Sequence, residues 1–324
     1  MNLVTIETKD FGTFHVDNDN MHLFWYFVFE RQNVYYRRFV EKLPKPWTQD
    51  KILNEFKFTN VHRELDRTTV WYHENIAGYP IGGKCRFPNK FVMKDVIFAT
   101  FVHRLFNNIH IMSIILPYLR IKTYNRDKIF NLIDNERQNG VSVFTSAHMT
   151  TGVRYAGSPD KLVNIIHLID LIHQSIDEIC ELIMSARSLE ELYKLSTRIQ
   201  GFGPFLGYQF ILDITNSGIH KFSHEDFVVA GPGCKRGIRH IFPNANEINN
   251  DNAMRFLRSR QHKYFEKFNY NYQFLDSLGG KEVGIHLGNI ENCLCEFQKY
   301  HRAYTGVGQP RNRYIYGEQN AVHN

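Results

Sequence analysis

The stretch from Leu192 to Ile214, LYKLSTRIQGFGPFLGYQFILDI, constrains this chain more than any other. Two apolar segments with helical spacing flank the turn Gly201-Phe202-Gly203-Pro204. Glycine at the first and third turn positions reaches backbone angles that other residues avoid. Proline suits the first turn of a helix, where its missing N–H costs nothing. The reading is a helix–hairpin–helix. The N–H groups at the start of its second helix are left without intrahelical partners and can hold a phosphate. Gly201, Gly203 and Gly207 are therefore candidate DNA-phosphate contacts. The plainer reading is an ordinary corner between two helices with a glycine-rich bend.

A chain of 324 residues has room for one large domain, or for two lobes sharing a core. With 43% hydrophobic residues it can bury that core, which excludes global disorder. A net charge of +6 permits a polyanionic partner without requiring one. Aromatic residues reach 14%; some can stack on bases, and most belong to the core. The five cysteines, Cys85, Cys180, Cys234, Cys293 and Cys295, form no CxxC pair. A disulfide framework, a zinc ribbon and a four-cysteine iron–sulfur loop are all disfavoured. No apolar run is long enough to span a bilayer, and no signal peptide is visible. The expectation is a soluble protein of a reducing cytoplasm.

The pattern predicts a mainly α protein with minor β. Residues 3–16 alternate as a strand pair and residues 20–43 form an aromatic-rich helix. Thr48 is expected to cap a short helix to Phe56. Further helices are expected at 60–76, 90–107, 109–119, 125–138, 159–185, 251–275 and 286–302, and residues 140–158 read as irregular or weakly β. Ser188 and Glu191 have capping-box spacing. Residues 219–236 read as loop and turn, with GPGCKRGI opening another helix. The organisation expected is a single unit of two helical lobes. Residues 90–240 make one, holding the 192–214 motif; 1–89 and 241–304 make the other, followed by a basic tail at 305–324.

Four constellations can carry chemistry. Asp226 lies shortly after the hairpin, where a carboxylate can face an extruded nucleotide; otherwise it caps a turn. Gly231, Gly233, Lys235 and Arg236 combine small residues with positive charge near a helix start, which suits a phosphate or pyrophosphate. The alternative there is a turn with solvated basic residues. No GxxxxGK[ST] loop occurs in these residues, so the ATP site of a P-loop enzyme is not expected. Asn60, Arg63, Glu64 and Arg67 share one face if 60–76 is helical. They would line a pocket, with Asn60 reading a uracil-like edge, or else form a surface ion-pair ladder. Along 288–300, Glu291 and Cys295 share one face, and Asn292, Glu296 and Lys299 another. The scattered histidines give no metal-ligand cluster.

FTNVHRELDR, GFGPFLGYQFILD, the run from Asp226 through Gly231-Pro232-Gly233 to Arg236-Gly237-Ile238, and ENCLCEFQKYHR together span residues 58–302. In these motifs the chain resembles the α-glutamyl/putrescinyl thymine pyrophosphorylases of bacteriophages, the amino acid:DNA transferases. These are themselves similar to helix–hairpin–helix DNA glycosylases. The same helical module resembles that of 5-hydroxymethyluracil DNA kinases, and the missing P-loop favours the transferase branch. The glycosylases that also cut the backbone place a lysine in the hairpin; Pro204-Phe205-Leu206 stands there, which argues against lyase chemistry.

The resemblance implies a glycosylase-like fold and a base-flipping transferase in the cytoplasm of an infected bacterium. A separate kinase would supply pyrophosphorylated 5-hydroxymethyluracil in DNA. The transferase would replace pyrophosphate with the amine of an amino acid or polyamine, giving a hypermodified thymine. A carboxylate must take the amine's proton, Asp226 first and Glu64 second. Lys235, Arg236 and the GPG amides would receive the leaving group. Asn60 and Arg63, with Arg67 on the same face, would hold the pyrimidine. Glu291, Glu296 and Lys299 are further candidates. A divalent metal can assist the leaving group, though no dedicated ligands stand out. The arrangement expected is an extruded pyrimidine between Asp226 and the 231–236 turn, anchored by the hairpin. The alternatives are a glycosylase acting on a modified pyrimidine and a non-catalytic DNA-binding protein.

Overall fold

The computed structural model describes residues 2–78, 86–144, 152–269 and 284–314. It is mainly helical, with one two-stranded sheet. The chain divides into two compact units. One is built from both ends, Met1–Asp66 and Val228–Asn324; the other is the continuous segment Arg67–Phe227. The division therefore falls at 66/67 and 227/228, where the sequence reading put it near 90 and 240.

In the first unit, β1 (Leu3–Thr8) and β2 (Gly12–Asp17) pair antiparallel, with Leu3 opposite Asp17. Asp17 then caps α1 (Asn18–Tyr35), accepting the N–H groups of Asp19 and Asn20. The predicted helix over 20–43 loosens into a π-turn at Tyr36–Val40 and stops. The short α2 (Lys51–Glu55) is capped by Asp50, not by Thr48. Thr48 instead accepts the N–H of Asp50, fixing the capping residue itself.

The second unit begins with α3 (Arg67–Tyr72), followed by α4 (Met93–Phe106), α5 (Ile109–Ile115) and α6 (Arg126–Gln138). Pro117 lies in a 3-10 turn that ends the predicted 109–119 helix early. The predicted 159–185 helix is two helices, α7 (Lys161–Gln174) and α8 (Ile176–Met184). Ser175, with φ −99° and ψ 15°, leaves helical geometry between them. Then come α9 (Leu189–Ser196) and α10 (Pro204–Asn216). Ser188 caps α9 as expected, while the Glu191 carboxylate reaches back to the Arg187 N–H.

The first unit resumes with α11 (Pro232–Ile241), α12 (Asn250–Phe268) and α13 (Leu287–Tyr304). Asn269, at φ +53°, ends α12; residues 270–275 of the predicted 251–275 helix lie outside the described residues. The 140–158 reading is outside them at 145–151, and so is the 315–324 part of the tail.

Aromatic side chains dominate both cores. In the first unit Phe14 of β2 stacks on Phe256 of α12, at 4.4 Å between ring centroids. Phe24 and Phe27 of α1 meet Phe297 and Tyr300 of α13. Such fully buried rings contribute more apolar area than any other side chain. In the second unit Phe101 of α4 stacks on Phe210 of α10 at 4.0 Å.

Candidate active site in the 58–66 loop

Two helices, α9 and α10, flank the 201–204 turn, as both the hairpin and the plain-corner readings expect. Gly201 takes φ +84°, and a Cβ there would lie 2.4 Å from the Leu168 side chain, so only glycine fits. Gly203 is the N-cap of α10 and Pro204 its first residue. Phe202, at the apex, is fully buried between Phe101 and Phe210. Gly203, Pro204 and Phe205 are exposed. Gly207 is different: it is buried and donates its N–H to Gly203 O. A Cβ on it would lie 3.0 Å from Thr197. Its smallness lets α9 and α10 approach, which corrects its reading as a phosphate contact.

Asp226 belongs to the same unit as the hairpin. It is exposed, and its carboxylate accepts the Ser223 N–H, closing the 223–226 turn. The turn it closes precedes it, whereas the capping alternative placed it at the start of the turn that follows.

The 231–236 segment belongs to the other unit, where Gly231 caps α11. The two following glycines serve packing. A Cβ on Gly233 would lie 2.4 Å from Cys295 Sγ, and one on Gly237 2.3 Å from Leu294 O. This lets α11 lie close against α13. Lys235 and Arg236 are exposed. The Gly231 N–H is taken by the Glu291 carboxylate at 3.1 Å. The anion at this helix start is the protein's own.

The segment 60–66 is not a helix, which corrects the shared face drawn through Asn60, Arg63, Glu64 and Arg67. Only a 3-10 turn forms, at Arg63–Leu65, and Arg67 opens α3 in the other unit. The backbone has better partners than its own i−4 carbonyls. Thr59 N–H donates to Glu296, Asn60 N–H to Asp66 and Arg63 N–H to Asn289. Arg31 of α1 donates to Phe58 O at 2.9 Å and to Asn60 Oδ1 at 2.7 Å. Asn292 donates to Asn60 O, and Cys293 Sγ to Val61 O. Asn289, Asn292 and Glu296, spaced i, i+3 and i+7, thus form a ladder on α13 that grips the loop.

Asn60 is a keystone of this arrangement. Its Oδ1 accepts from Arg31 and its Nδ2 donates to Leu65 O, so both ends of its amide are engaged within the protein. That differs from an amide presented to a base edge.

Charged groups crowd around the loop. Glu64 accepts from His286 Nε2 and, at 3.0 Å, from Asn289 Nδ2. His286 caps α13, its Nδ1 accepting the Asn289 N–H, which places the ring proton on Nε2. Burial acts to raise the Glu64 carboxyl, but His286, His62 and Asn289 hold it well below the usual carboxylate range. Burial pushes the fully enclosed His62 down to about 4.

Asp66 and Glu291 go the other way. Asp66 is half-buried as a residue, and desolvation of its carboxyl pushes it up to about 6 against the Asn60 N–H, Arg63 and Arg31. Burial likewise raises Glu291, opposed by Arg63 and the Gly231 N–H. Glu296, 5% exposed, accepts from Lys299. Burial works against the charged Lys299, yet Glu296 holds it above the ordinary lysine value. As the spacing predicted, Glu291 and Cys295 face α11, while Asn292 and Glu296 face the loop. Carboxyls shifted in opposite directions within one cluster are a mark of sites that move protons.

The sequence reading gave no role to Arg31, Asp66, His62, His286 or Asn289. Asn289 carried a signal: a polar residue in step with Asn292 and Glu296 along one face. Among the described residues, no three His, Cys, Asp or Glu side chains are grouped to hold a metal ion. No helix among them is long and apolar enough to cross a membrane.

The family described as "5-hmdU DNA kinase, helical domain" matches residues 18–308, nearly the whole chain. The chain belongs to this helical-domain family. Over 291 residues it is 29% identical to the 5-hmdU DNA kinase of Bacillus phage SP10. The match covers 85% of this chain and 44% of that kinase, so the chain spans less than half of its relative. The resemblance to the kinase module is thereby shown. Within the helical-domain family, the 58–66 loop and the α13 ladder both lie inside the matched region. No solved structure matches the chain.

Proposed function

We propose that this chain acts in phage thymine hypermodification, inside the infected bacterium, as an amine:DNA transferase. Its substrate would be DNA carrying 5-(pyrophosphoryloxymethyl)uracil, made by an upstream kinase. The amine of an amino acid or polyamine attacks the base methylene. The C–O bond to pyrophosphate breaks, the oxygen keeps the electron pair, a C–N bond forms, and the amine loses a proton. Membership of the helical-domain family supports the DNA and base class. A glycosylase-like fold with an extruded base fits the exposed hairpin start in the second unit.

The observation that carries the reading is Arg63, whose positive charge acts on two carboxyls that burial raises, Asp66 in the loop and Glu291 on α13. Asp66, poised near 6, accepts the amine proton; the depressed Glu64 is a weaker acceptor and positions His286. Arg63 offsets the charge that develops on the leaving group, and the exposed Lys235 and Arg236 receive it.

The test is mass spectrometry of nucleosides from pyrophosphorylated DNA incubated with the protein and a mixture of amino acids and polyamines. A new aminomethyl nucleoside with release of pyrophosphate is expected. Unchanged nucleosides, or abasic sites on hydroxymethyluracil DNA, would overturn the reading.

A second reading is favoured by the name of the SP10 relative. The chain would present hydroxymethyluracil in DNA to a phosphoryl-transfer module, since these 324 residues contain no P-loop. Labelled phosphate transferred from ATP to hydroxymethyluracil DNA would support it over the transferase.

A further inference from the structure

A cavity in the second unit belongs to none of the features above. It measures about 380 Å³, toward the small end of the range for ligand sites. All of its lining residues lie within 171–200, inside that unit. One side is a stripe along α7 and α8. Ser175, Glu178, Ile179 and Leu182 follow helical spacing, and Leu171 and Ile172 continue the stripe one turn back. The break between the two helices, at Ser175, falls in its middle. Arg198, Ile199 and Gln200, which lead into the Gly201 turn, complete the lining.

The buried members are apolar: Ile172, Ile179 and Ile199. The polar members lie nearer to solvent, with Glu178, Arg198 and Gln200 exposed and Ser175 half-buried. Glu178 and Arg198 carry opposite charges and line the same cavity, yet among the described residues neither forms an ion pair. Ser175 stands at the head of α8, but its hydroxyl caps none of that helix's N–H groups. A simple anion here would be repelled by Glu178, and a simple cation by Arg198. A ligand carrying both charges satisfies both groups at once, and the apolar bed calls for a hydrocarbon side chain beside them.

We propose that this cavity binds a free aliphatic α-amino acid such as leucine. Arg198 takes the carboxylate, which its guanidinium can hold through two parallel hydrogen bonds. Glu178 takes the ammonium, and the Ser175 hydroxyl, one helical turn away, accepts from the same group. The side chain lies on Ile172, Ile179 and Ile199. Such a site is built wholly from the second unit, whereas the 58–66 loop belongs to the first, and it is independent of the transferase reading.

The experiment is isothermal titration calorimetry of the full chain, without DNA, using L-leucine, leucinamide, N-acetylleucine, L-glutamate and putrescine. Saturable binding of leucine is expected. Leucinamide lacks the carboxylate and N-acetylleucine the ammonium, and each should bind roughly tenfold more weakly. Glutamate and putrescine should bind at least as weakly as these. Arg198→Gln should bring leucine down to the level of leucinamide and leave leucinamide unchanged. Glu178→Gln should do the same for leucine and N-acetylleucine. Both positions are exposed, so the fold is expected to persist, with circular dichroism as the control. Absence of saturable leucine binding would overturn the proposal. So would capped analogues, glutamate or putrescine that bind as tightly as leucine, or charge variants that bind leucine like the parent. Because no DNA is present, failed binding leaves the transferase reading standing, and failed amine transfer leaves this site standing.

Discussion

The Glu291 carboxylate accepts the amide N–H of Gly231, sealing the start of the helix that carries Lys235 and Arg236. Glu291 is 7% exposed, so this bond is shielded from water. Glu291→Ala leaves the Gly231 N–H without its acceptor and is expected to cost about 1–3 kcal/mol. Glu291→Gln keeps an oxygen in place and is expected to cost less. Urea denaturation of both variants checks the order.

Asp66 gives a pH signature. Its carboxyl holds its proton up to about pH 6 in the folded chain, but loses it near the model-compound value of 3.8 when unfolded. Its favourable contribution is complete below pH 3.8 and is lost as pH rises through 6. Asp66→Asn does not ionise. The stability of the variant relative to the parent should therefore improve between pH 4 and pH 7. A relative stability that stays flat over that range counts against a raised Asp66.

Glu64 has the opposite sign. Its carboxyl is held well below the ordinary range, so its stabilisation is present at neutral pH and lost as pH falls through the depressed folded value. Glu64→Gln is expected to destabilise the chain at pH 7, with the deficit shrinking under acid. Chemical denaturation at pH 7 and below pH 4 measures both ends.

Two glycines should separate packing from conformation. Gly237→Ala drives a methyl into the Leu294 carbonyl oxygen and should cost about 3 kcal/mol or more by forcing α11 off α13. Gly203→Ala meets nothing within 4 Å and should stay within about 1 kcal/mol of the parent. Thermal unfolding compares the pair.

For the proposed transfer, Asp66→Asn should slow turnover by about 10²–10⁴-fold, the range of a lost general base. Asp226→Asn should leave it near the parent rate, because that carboxylate closes an exposed turn. Single-turnover assays on pyrophosphorylated DNA decide between the two acids; a reversed order returns the base to Asp226.

The elements legible in the sequence were those set by local chemistry. Gly201 and Pro204 announce their turn because few other residues tolerate those positions, while Gly203, at φ −67° with open space around it, has no such need to be glycine. Ser188 announces its cap in the same way. The helix starting at GPGCKRGI and the two faces of α13 followed from spacing alone. The 58–66 loop was not legible as a loop. Its residues have helical spacing, and what unwinds them is Arg31, Asn289, Asn292 and Glu296, most of them more than 200 positions away. The same distance hid the upward shift of Asp66, which comes from surroundings that only the folded chain provides. Gly207 and Gly233 misled in a consistent way: glycine near a helix start fits an anion site, but it equally fits a close-packed neighbour.

The second unit is one unbroken run, whereas the first is made of two stretches, one before it and one after it. On a ribosome, residues 67–227 can complete their core while Arg31 and Asn60 still lack the helix that will fix them. The 58–66 loop is thus fixed only after α13 has been made. A chain stopped before α13 would carry the 201–204 turn in a finished core and leave the loop ungripped.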